Sequence, residues 1–243
     1  EHDAGITMEA LNMIENDTSL VEAKTTVLYK ADWHKGVIGI VASKCIEHFH
    51  RPTIILTESN GKATGSARSV PGFDIHDAIG ACSELLEQFG GHKYAAGLTL
   101  DIANVEAFST QFETVVAQSI TTEMLTPKIN IDLEIQLTDI TPKFFSILQQ
   151  MEPFGPGNMS PVFVSRGLKA ESTRLLKELH IKLKVQQDHD GPIFEAIGFN
   201  MAEYFPDISN GIVFDMAYAI EENNFRGKKT LQLNIKDIKF EKI

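Results

Sequence analysis

The stretch FGGHKYAAG, residues 89–97, is the densest signal in the sequence and decides how its first half is interpreted. Two adjacent glycines let the backbone turn its N–H groups toward one point, and His92 adds a side-chain donor there. The small residues 95–97 leave room for a ligand to approach the backbone. This pattern favours a phosphate-binding loop with Gly90, Gly91 and His92 as donors. On composition alone, a glycine helix stop followed by an ordinary loop is the preferred alternative.

A second motif, GSARS at residues 65–69, follows at the end of a predicted strand. Two hydroxyls and a guanidinium at that place can converge on an anionic oxygen. A surface turn with a solvated arginine explains the same residues. Ser66, Arg68 and Ser69 are therefore candidate ligands of an anion, and the motif carries more weight than the arginine alone.

A third motif, DWHKGVIGIVAS at residues 32–43, places the only tryptophan directly before a predicted helix. Gly36 and Gly39 on one face of that helix permit close packing on a sheet. Trp33 and His34 join the candidate phosphate- and DNA-binding residues. For Trp33 a structural role is preferred over stacking on a base. His34 either caps the helix or faces a ligand, and the sequence leaves both open.

Composition restricts the class of protein. A chain of 243 residues that is 43% hydrophobic fits one large or two ordinary domains with real cores and excludes a wholly disordered or collagen-like chain. The only cysteines, Cys45 and Cys82, provide neither a disulfide framework nor a cysteine-rich zinc site, so we expect a reducing compartment. No apolar stretch approaches the ~20 residues of a membrane span, and no signal peptide is recognisable. We expect a soluble, cytoplasmic protein without membrane contact.

A domain boundary is predicted at Thr126-Pro127. The part up to Leu125 has 8 basic and 17 acidic residues, against 14 and 16 in the rest, so the second part is the better candidate for binding nucleic acid. In the first part, predicted strands at 26–29, 53–56 and 63–68 alternate with helices, which indicates an α/β layer. A long helix is predicted for 105–124.

The second part contains several short predicted strands and one helix. Alternating apolar residues at 129–137 indicate a half-buried strand, and a helix is predicted at 142–151. Five more strands are predicted at 161–170, 180–187, 193–199, 211–220 and 229–238. Short strands separated by turn formers suit a small closed barrel, with an OB-like barrel as the leading candidate.

Basic residues cluster in the second part and are candidate contacts for a single-stranded backbone. They are Arg166, Lys169, Arg174, Lys177, Lys182, Lys184, Arg226, Lys228 and Lys229. An ordinary solvated surface explains them equally well. Four phenylalanines are available for stacking on bases, although core positions are preferred for them. They are Phe163, Phe194, Phe199 and Phe225.

In this order and at this spacing, the motifs resemble the C-terminal half of the RecJ family, the single-strand-specific 5′→3′ exonucleases of bacteria. WHKGVIGIVASK, RPTIIL, GSARS and FGGHKYAAG resemble its DHHA1 domain, and PFGPGN at 153–158 with NFRG at 224–227 is similar to its OB domain. The resemblance implies an α/β DHHA1-type domain followed by a mostly β, OB-like barrel domain. It divides the chain into a linker helix at 1–24, a DHHA1 domain at 25–125 and an OB-like domain at 126–243.

The resemblance also implies a function. The parent enzyme would hydrolyse single-stranded DNA from the 5′ end in repair and recombination, using two divalent metals, Mg²⁺ or Mn²⁺, in a separate catalytic DHH domain. Gly90, Gly91 and His92 would lie at the mouth of the catalytic cleft, His92 assisting, and Ser66, Arg68 and Ser69 would bind the 5′ phosphate.

The sequence lacks the DHH triplet and the Asp-rich motifs, so we expect this chain to bind single-stranded DNA without cutting it and to hold no cofactor or metal. Asp188-His189-Asp190 precedes Gly191-Pro192 and is predicted to form a turn. Expected protein partners are a single-strand-binding protein and a recombination helicase. Two alternatives stay open, a DHH–DHHA1 phosphoesterase of short oligonucleotides or cyclic dinucleotides, and an RNA-binding DHHA1 tail like that of alanyl-tRNA synthetases.

Overall fold

The structure is a computed structural model that describes residues 2–155, 157–225 and 227–240, without the side chains of residues 2, 3, 225 and 228. The chain forms two compact units that divide between Pro127 and Lys128. No helix in these described ranges is both long and apolar enough to span a bilayer.

The first unit is an α/β layer with one mixed sheet. Its described helices and strands are α1 (His2–Glu15), α2 (Thr18–Glu22), β1 (Thr26–Tyr29), α3 (Ile38–Phe49), β2 (Thr53–Ser59), β3 (Lys62–Arg68), α4 (Ile75–Gly80), β4 (Gln88–His92), β5 (Ala95–Leu100) and α5 (Val105–Ser119). The strand order is β1-β2-β3-β5-β4. Only β1 and β2 run parallel, and the other neighbours are antiparallel.

Alternation along β2 assigns the two faces of this sheet to two cores. Ile54 and Leu56 pack with Phe108 of α5, whereas Ile55 packs with Val41 of α3. Residues of α4 and α5 cover the first face along the sheet. On the second face α3 contacts β2 and β3, and the edge strand β4 is exposed along its whole length. This second face is therefore covered at one side and open at the other.

The second unit is a closed five-stranded barrel. Its described elements are β6 (Leu133–Glu134), α6 (Pro142–Gln149), β7 (Phe163–Leu176), β8 (His180–Gln186), β9 (Phe194–Gly198), α7 (Phe205–Ser209), β10 (Phe214–Phe225) and β11 (Lys228–Phe240). The barrel runs β7-β8-β9-β11-β10 and closes by antiparallel pairing of β10 with β7. The pair β9–β11 is parallel, and β6 adds to β7 in parallel. The predicted fold class, an α/β domain followed by a mostly β, OB-like barrel, is confirmed.

Several predicted boundaries in the first unit are wrong for local reasons. The helix expected near Lys35 begins at Ile38, because the Gly36 N–H donates to His34 Nδ1 in a preceding turn. The helix expected to reach residue 124 ends at Ser119, since Ile120 adopts an extended backbone and buries its side chain. The glycine pair expected in a loop lies in the edge strand β4.

In the second unit, the strand expected over 129–137 pairs only at Leu133–Glu134. Ile129 and Ile131 are exposed, so alternation there does not reflect a buried face. Strand β7 extends well beyond the predicted residue 170, and β10 beyond 220, because paired antiparallel partners continue both ladders. The short helix α7, with a proline in its first turn, was not predicted.

Candidate nucleic-acid interfaces

The glycine and GSARS motifs meet on one uncovered surface of the first sheet, which we call the open face. Strands β3, β5 and β4 place directly opposed residues side by side there, because paired residues project to the same face. The cross-strand rows are Arg68–Ala95–His92, Ser66–Gly97–Gly90 and Thr64–Thr99–Gln88. Sheet register therefore joins residues that are far apart in the sequence.

The floor of the open face is backbone. A Cβ added at Gly90 would meet nothing within 4 Å, and one at Gly97 would meet only the Gly65 carbonyl oxygen at 3.8 Å. A surface depression of about 460 Å³ lies here, bordered by Lys35 and the threonines of the third row. The missing side chains let a ligand reach the strand backbone itself.

Gly91 has a different role from Gly90. Its φ is +144°, and an added Cβ would lie 2.4 Å from the Ala95 carbonyl oxygen and 2.6 Å from Ala96 Cα. The pairing of β4 with β5 thus requires glycine at this position. Gly90 keeps a surface open, whereas Gly91 keeps a strand pair together.

Arg68 supplies positive charge to the open face, in addition to Lys35 at the border of the depression. Its Nη1 donates to Ser66 Oγ at 2.9 Å and to the Ala67 carbonyl oxygen at 2.8 Å. Within the described part of the chain, no carboxylate forms an ion pair with it. A Cβ on Gly39 would lie 2.7 Å from Arg68 Nη2, so this glycine lets the guanidinium pass beside the start of α3. That helix end has no side-chain cap, and its dipole adds to the positive potential.

The remaining candidates of the first unit differ in availability. His92 is exposed, and its Nδ1 accepts from the Tyr94 N–H at 3.3 Å, which leaves Nε2 as the donor of the ring. His34 is also exposed, but it shapes the turn before α3 and is not its N-cap. The Ser69 hydroxyl already donates to the Phe73 carbonyl oxygen at 2.9 Å. The Nε2 atoms of His92 and His34 are therefore more available to a ligand than the Ser69 hydroxyl.

Trp33 belongs to the core and not to a binding surface. It is 4% exposed, and its Nε1 donates to Glu9 Oε2 at 2.7 Å. Glu9 also pairs with Lys30, and hydrogen bonds from Lys30 and then Trp33 lower the pKa of its carboxyl. The burial of Trp33 supports the structural role that the sequence favours over stacking on a base. Sequence reasoning missed Glu9, since nothing in the local pattern signals a buried indole partner.

The second unit has a groove on the outside of the barrel, which we call the barrel groove. It has a volume of about 810 Å³ and crosses β7, β8, β9 and the paired ends of β10 and β11. Arg174 stands directly opposite Lys182, so both project outward on the same face. Polar lining residues of the groove include Arg174, Lys182, Lys184, Glu195, Asn223 and Thr230.

The predicted basic residues separate into free and paired groups. Lys169, Arg174, Lys177 and Lys184 are exposed, with no carboxylate within ion-pair distance in the described ranges. Lys177 lies in the tight turn between β7 and β8, with a φ of +50°. Lys182 pairs with Glu195 at 2.8 Å and Lys229 with Glu222 at 2.8 Å. Arg226 and the side chain of Lys228 lie outside the described residues.

Arg166, one of the predicted DNA-binding residues, is held by two carboxylates. Its Nε donates to Glu134 Oε2 at 2.8 Å and its Nη1 to Asp215 Oδ2 at 2.9 Å. Both hydrogen bonds raise the pKa of the guanidinium, and the bond to Glu134 has the larger effect. Two carboxylates more than neutralise the charge, so Arg166 ties β6, β7 and β10 together, and its contact with DNA stays a prediction.

The candidate stacking residues are mostly occupied by packing. Phe163 is 4% exposed and Phe194 packs against the barrel core, so neither is free to stack on a base. Phe199 is 53% exposed, with its ring 5.3 Å from that of His180. The side chain of Phe225 lies outside the described residues. Ile193, exposed at the edge of the groove, was missed.

One group of potential metal ligands occurs among the described residues. Ligand atoms of Asp74, His76 and Asp77 lie within 4.8 Å of one another. Asp74 already caps α4 by accepting from the Asp77 N–H, so its carboxylate has a structural role. The Asp188-His189-Asp190 sequence lies in the connection between β8 and β9, where the Gly191 N–H donates to the Asp188 carbonyl oxygen.

The fold and the two surfaces define a two-domain protein of the DHHA1–OB class. A family model for the DHHA1 domain matches residues 22–118, and one for the RecJ OB domain matches residues 131–237. The chain belongs to the RecJ family, over the region that contains these two domains.

Individual relatives agree with this assignment. The chain is 31% identical to the single-stranded-DNA-specific exonuclease RecJ of Bacillus subtilis, over 96% of this chain and 30% of the relative. It is also 31% identical to the Escherichia coli protein of that name, over 98% of this chain and 42% of the relative. The crystal structure of RecJ in complex with Mn²⁺ from Thermus thermophilus matches the whole chain and 34% of its own, with a TM-score of 0.81 and 25% identity. The chain thus spans less than half the length of these relatives.

Proposed function

We propose that this chain binds single-stranded DNA as part of a RecJ-type 5′→3′ exonuclease. In this proposal the open face holds the 5′-terminal phosphate and the barrel groove holds the strand. The observation that carries the proposal is the cross-strand alignment of Arg68 and His92 beside the glycine floor. The relatives are named for single-stranded-DNA-specific exonuclease activity, which supports the same role.

The chemistry of the open face suits a phosphate. Ser66 Oγ accepts a hydrogen bond from Arg68, so its own hydroxyl proton is free for a phosphate oxygen. The guanidinium supplies charge-assisted donors, and the His92 Nε2–H can approach from the other edge of β5. A terminal phosphate carries more charge than an internal phosphodiester, and it is expected to bind here more tightly. This difference would give the enzyme its 5′ polarity.

The barrel groove suits an extended backbone. OB barrels bind oligonucleotides on the face of their second and third strands, which are β8 and β9 here. The free charges of Arg174 and Lys184 can contact phosphates without base specificity. These features support binding to many sequences of unpaired DNA.

We assign phosphodiester hydrolysis to metal ions held outside this chain. RecJ structures from Thermus thermophilus contain Mn²⁺ or Mg²⁺, and two-metal chemistry needs several convergent carboxylates and histidines. The Asp74, His76 and Asp77 group does not fit such a centre, because its first carboxylate is committed to a helix cap. The chain alone is expected to bind without cutting. A cytoplasmic location, a single-strand-binding protein and a recombination helicase as partners stay predictions of the same role.

The test is fluorescence anisotropy of a 3′-labelled oligonucleotide, with and without a 5′ phosphate, at two salt concentrations. We expect salt-sensitive binding that is stronger with the phosphate. In the wild type, the 5′ phosphate should strengthen binding roughly tenfold. Arg68→Met should abolish this preference and leave the affinity for the 5′-hydroxyl strand nearly unchanged. Lys184→Met should weaken both strands equally, by about three- to fivefold. Lys44→Met, on α3 and paired with Glu47, is the charge-matched control and should change neither.

Competitors separate the alternatives. Duplex DNA and tRNA should compete poorly, and dinucleotides should bind more weakly than long strands. A preference for tRNA would favour the RNA-binding alternative, and a preference for dinucleotides would favour a small phosphoesterase. Survival of the 5′-phosphate preference in Arg68→Met would disprove the assignment of the open face.

A further inference from the structure

The barrel groove contains one acidic side chain among its cations. Of the described residues that line the groove, Glu195 alone carries a carboxylate. Its Oε2 lies 2.8 Å from Lys182 Nζ, and in the register of β8 and β9 it stands directly opposite Lys184. One carboxylate therefore lies between two lysines on the surface that is proposed to hold DNA.

We propose that Glu195 is a built-in competitor of the DNA phosphates. It occupies Lys182 when no strand is bound, and an incoming phosphate displaces it from the lysine. The carboxylate thus limits how tightly the groove grips a strand. This inference rests on the proposed function of the groove and names the residue that sets its affinity.

Charge arrangement explains why the free barrel holds a carboxylate there. Arg174 and Lys182 are directly opposed across β7 and β8, and like charges in that arrangement destabilise a strand pair. Glu195 offsets this repulsion from the neighbouring strand β9. A DNA phosphate lying in the groove can take over the same task, because it brings a negative charge to the same cations.

Partial burial makes the competition effective. The side chain of Lys182 is 25% exposed and that of Glu195 is 40% exposed, so bulk water screens their pair less than a fully exposed one. A phosphate at Lys182 competes with the carboxylate, because the single positive charge of the ammonium is already compensated. Lys184, in contrast, has no ion-pair partner in the described part of the chain and is ready to bind.

Other ion pairs of the barrel do not have this arrangement. Arg166 pairs with Glu134 and Asp215, and Lys229 pairs with Glu222, but none of these residues lines the groove. Removal of the Glu195 carboxylate should therefore tighten DNA binding more than removal of another carboxylate does. The effect then depends on the position of the charge and not only on the lower net negative charge of the chain.

The first experiment measures binding of a labelled oligo(dT) of about 16 nucleotides to the chain at several salt concentrations. Glu195→Gln should tighten binding about three- to tenfold at low salt. It should also steepen the dependence of log K on log salt by about 0.7, the value for one counterion on a single strand, because no displaced carboxylate takes up a counterion. Glu203→Gln removes the same charge from an exposed position outside the groove and should change affinity less than twofold. The free Glu195→Gln protein should melt at a slightly lower temperature, because Arg174 and Lys182 then repel each other.

A double-mutant cycle makes the test independent of overall charge. In the wild-type background, Lys182→Met should weaken binding less than twofold, since the contact of the phosphate with this lysine is offset by the loss of its ion pair with Glu195. In the Glu195→Gln background, the same substitution should cost about three- to fivefold, as Lys184→Met does. Equal costs in both backgrounds, or unchanged affinity in Glu195→Gln, overturn the inference while leaving the proposed function intact. Absence of binding by the wild-type chain overturns the proposed function itself.

Discussion

The open face of the first unit is floored by glycine backbone, whereas the barrel groove of the second unit is lined by long charged side chains. On the open face a single guanidinium stands without a carboxylate partner in the described residues, beside Gly90 and Gly97. In the groove several cations share their surface with Glu195, and Lys182 is paired to it.

This difference corresponds to two ways of binding an anion. A backbone floor with one held guanidinium is preorganised, so it suits one phosphate at one position. Flexible lysines lose rotamer freedom on binding and tolerate many strand positions, so they suit a backbone without a fixed register. We expect the first surface to provide end specificity and the second to provide grip.

The largest effect is expected from the two glycines that the sequence presents as equivalent. Gly91→Ala should destabilise the first unit by about 3 kcal/mol, because its Cβ meets backbone atoms and its φ is unfavourable. Gly90→Ala should cost less than about 1 kcal/mol, since its Cβ meets nothing. Thermal unfolding followed by the fluorescence of Trp33 measures both. Equal destabilisation by the two substitutions would contradict the distinction.

Alkaline pH should separate the two units next. Burial raises the pKa of the Cys45 and Cys82 thiols from 9.0 to about 11 in the first unit, and it raises that of Tyr218 from 10.0 to about 12 in the second. A group whose pKa is higher in the folded state than in the unfolded state stabilises the fold at pH values below its unfolded pKa. This stabilisation is lost as the pH rises from the unfolded pKa to the folded pKa.

The first unit should thus lose stability above about pH 9, by up to about 1.4 kcal/mol per pH unit for each thiol. The second unit should lose stability only above about pH 10, where Tyr218 begins to ionise in the unfolded state. Denaturant titrations at pH 8, 9 and 10 check this order through Trp33 fluorescence and far-ultraviolet circular dichroism. A Cys45→Ala/Cys82→Ala variant should lose the earlier onset. Identical onsets in that variant and the wild type would argue against the thiols as the cause.

A smaller effect is expected at Trp33. Trp33→Phe removes the hydrogen bond to Glu9 and leaves a small cavity, which should destabilise the first unit by about 1–2 kcal/mol. Binding of 5′-phosphorylated DNA by the folded variant should not change, because the ring is buried. Chemical denaturation and anisotropy measure the two effects separately. Weaker DNA binding by a fully folded Trp33→Phe variant would show that Trp33 contributes to the DNA-binding surface.

The smallest effect is expected at Arg166, as a test of which basic residues grip DNA. Arg166→Met leaves Glu134 and Asp215 without their cation, so the melting temperature should fall by a few degrees while DNA affinity stays the same. Lys169→Met should leave the melting temperature unchanged and weaken DNA binding slightly, because this lysine has no ion pair in the described ranges. The opposite pattern would show that the assignment of the two cations is reversed.

Much of the fold was predictable from local patterns. The predicted strands at 53–56 and 63–68 are present in the first unit, and those predicted at 180–187 and 229–238 are present in the barrel. Alternation at 129–137 misled, because it describes side-chain chemistry and not the presence of a partner strand. Only a short piece of β7 is available there for pairing.

The sequence by itself determined the two-domain organisation, the motifs and the family, since these depend on residue type and spacing along the chain. Tertiary structure alone decided that Arg68 aligns with His92 across β5, that Trp33 is buried on Glu9, and that Lys182 and Arg166 are already paired. The physical reason is that strand register and ion pairing are set by neighbours distant in sequence. The sequence therefore does not distinguish a lysine that is paired with a carboxylate from one that is unpaired.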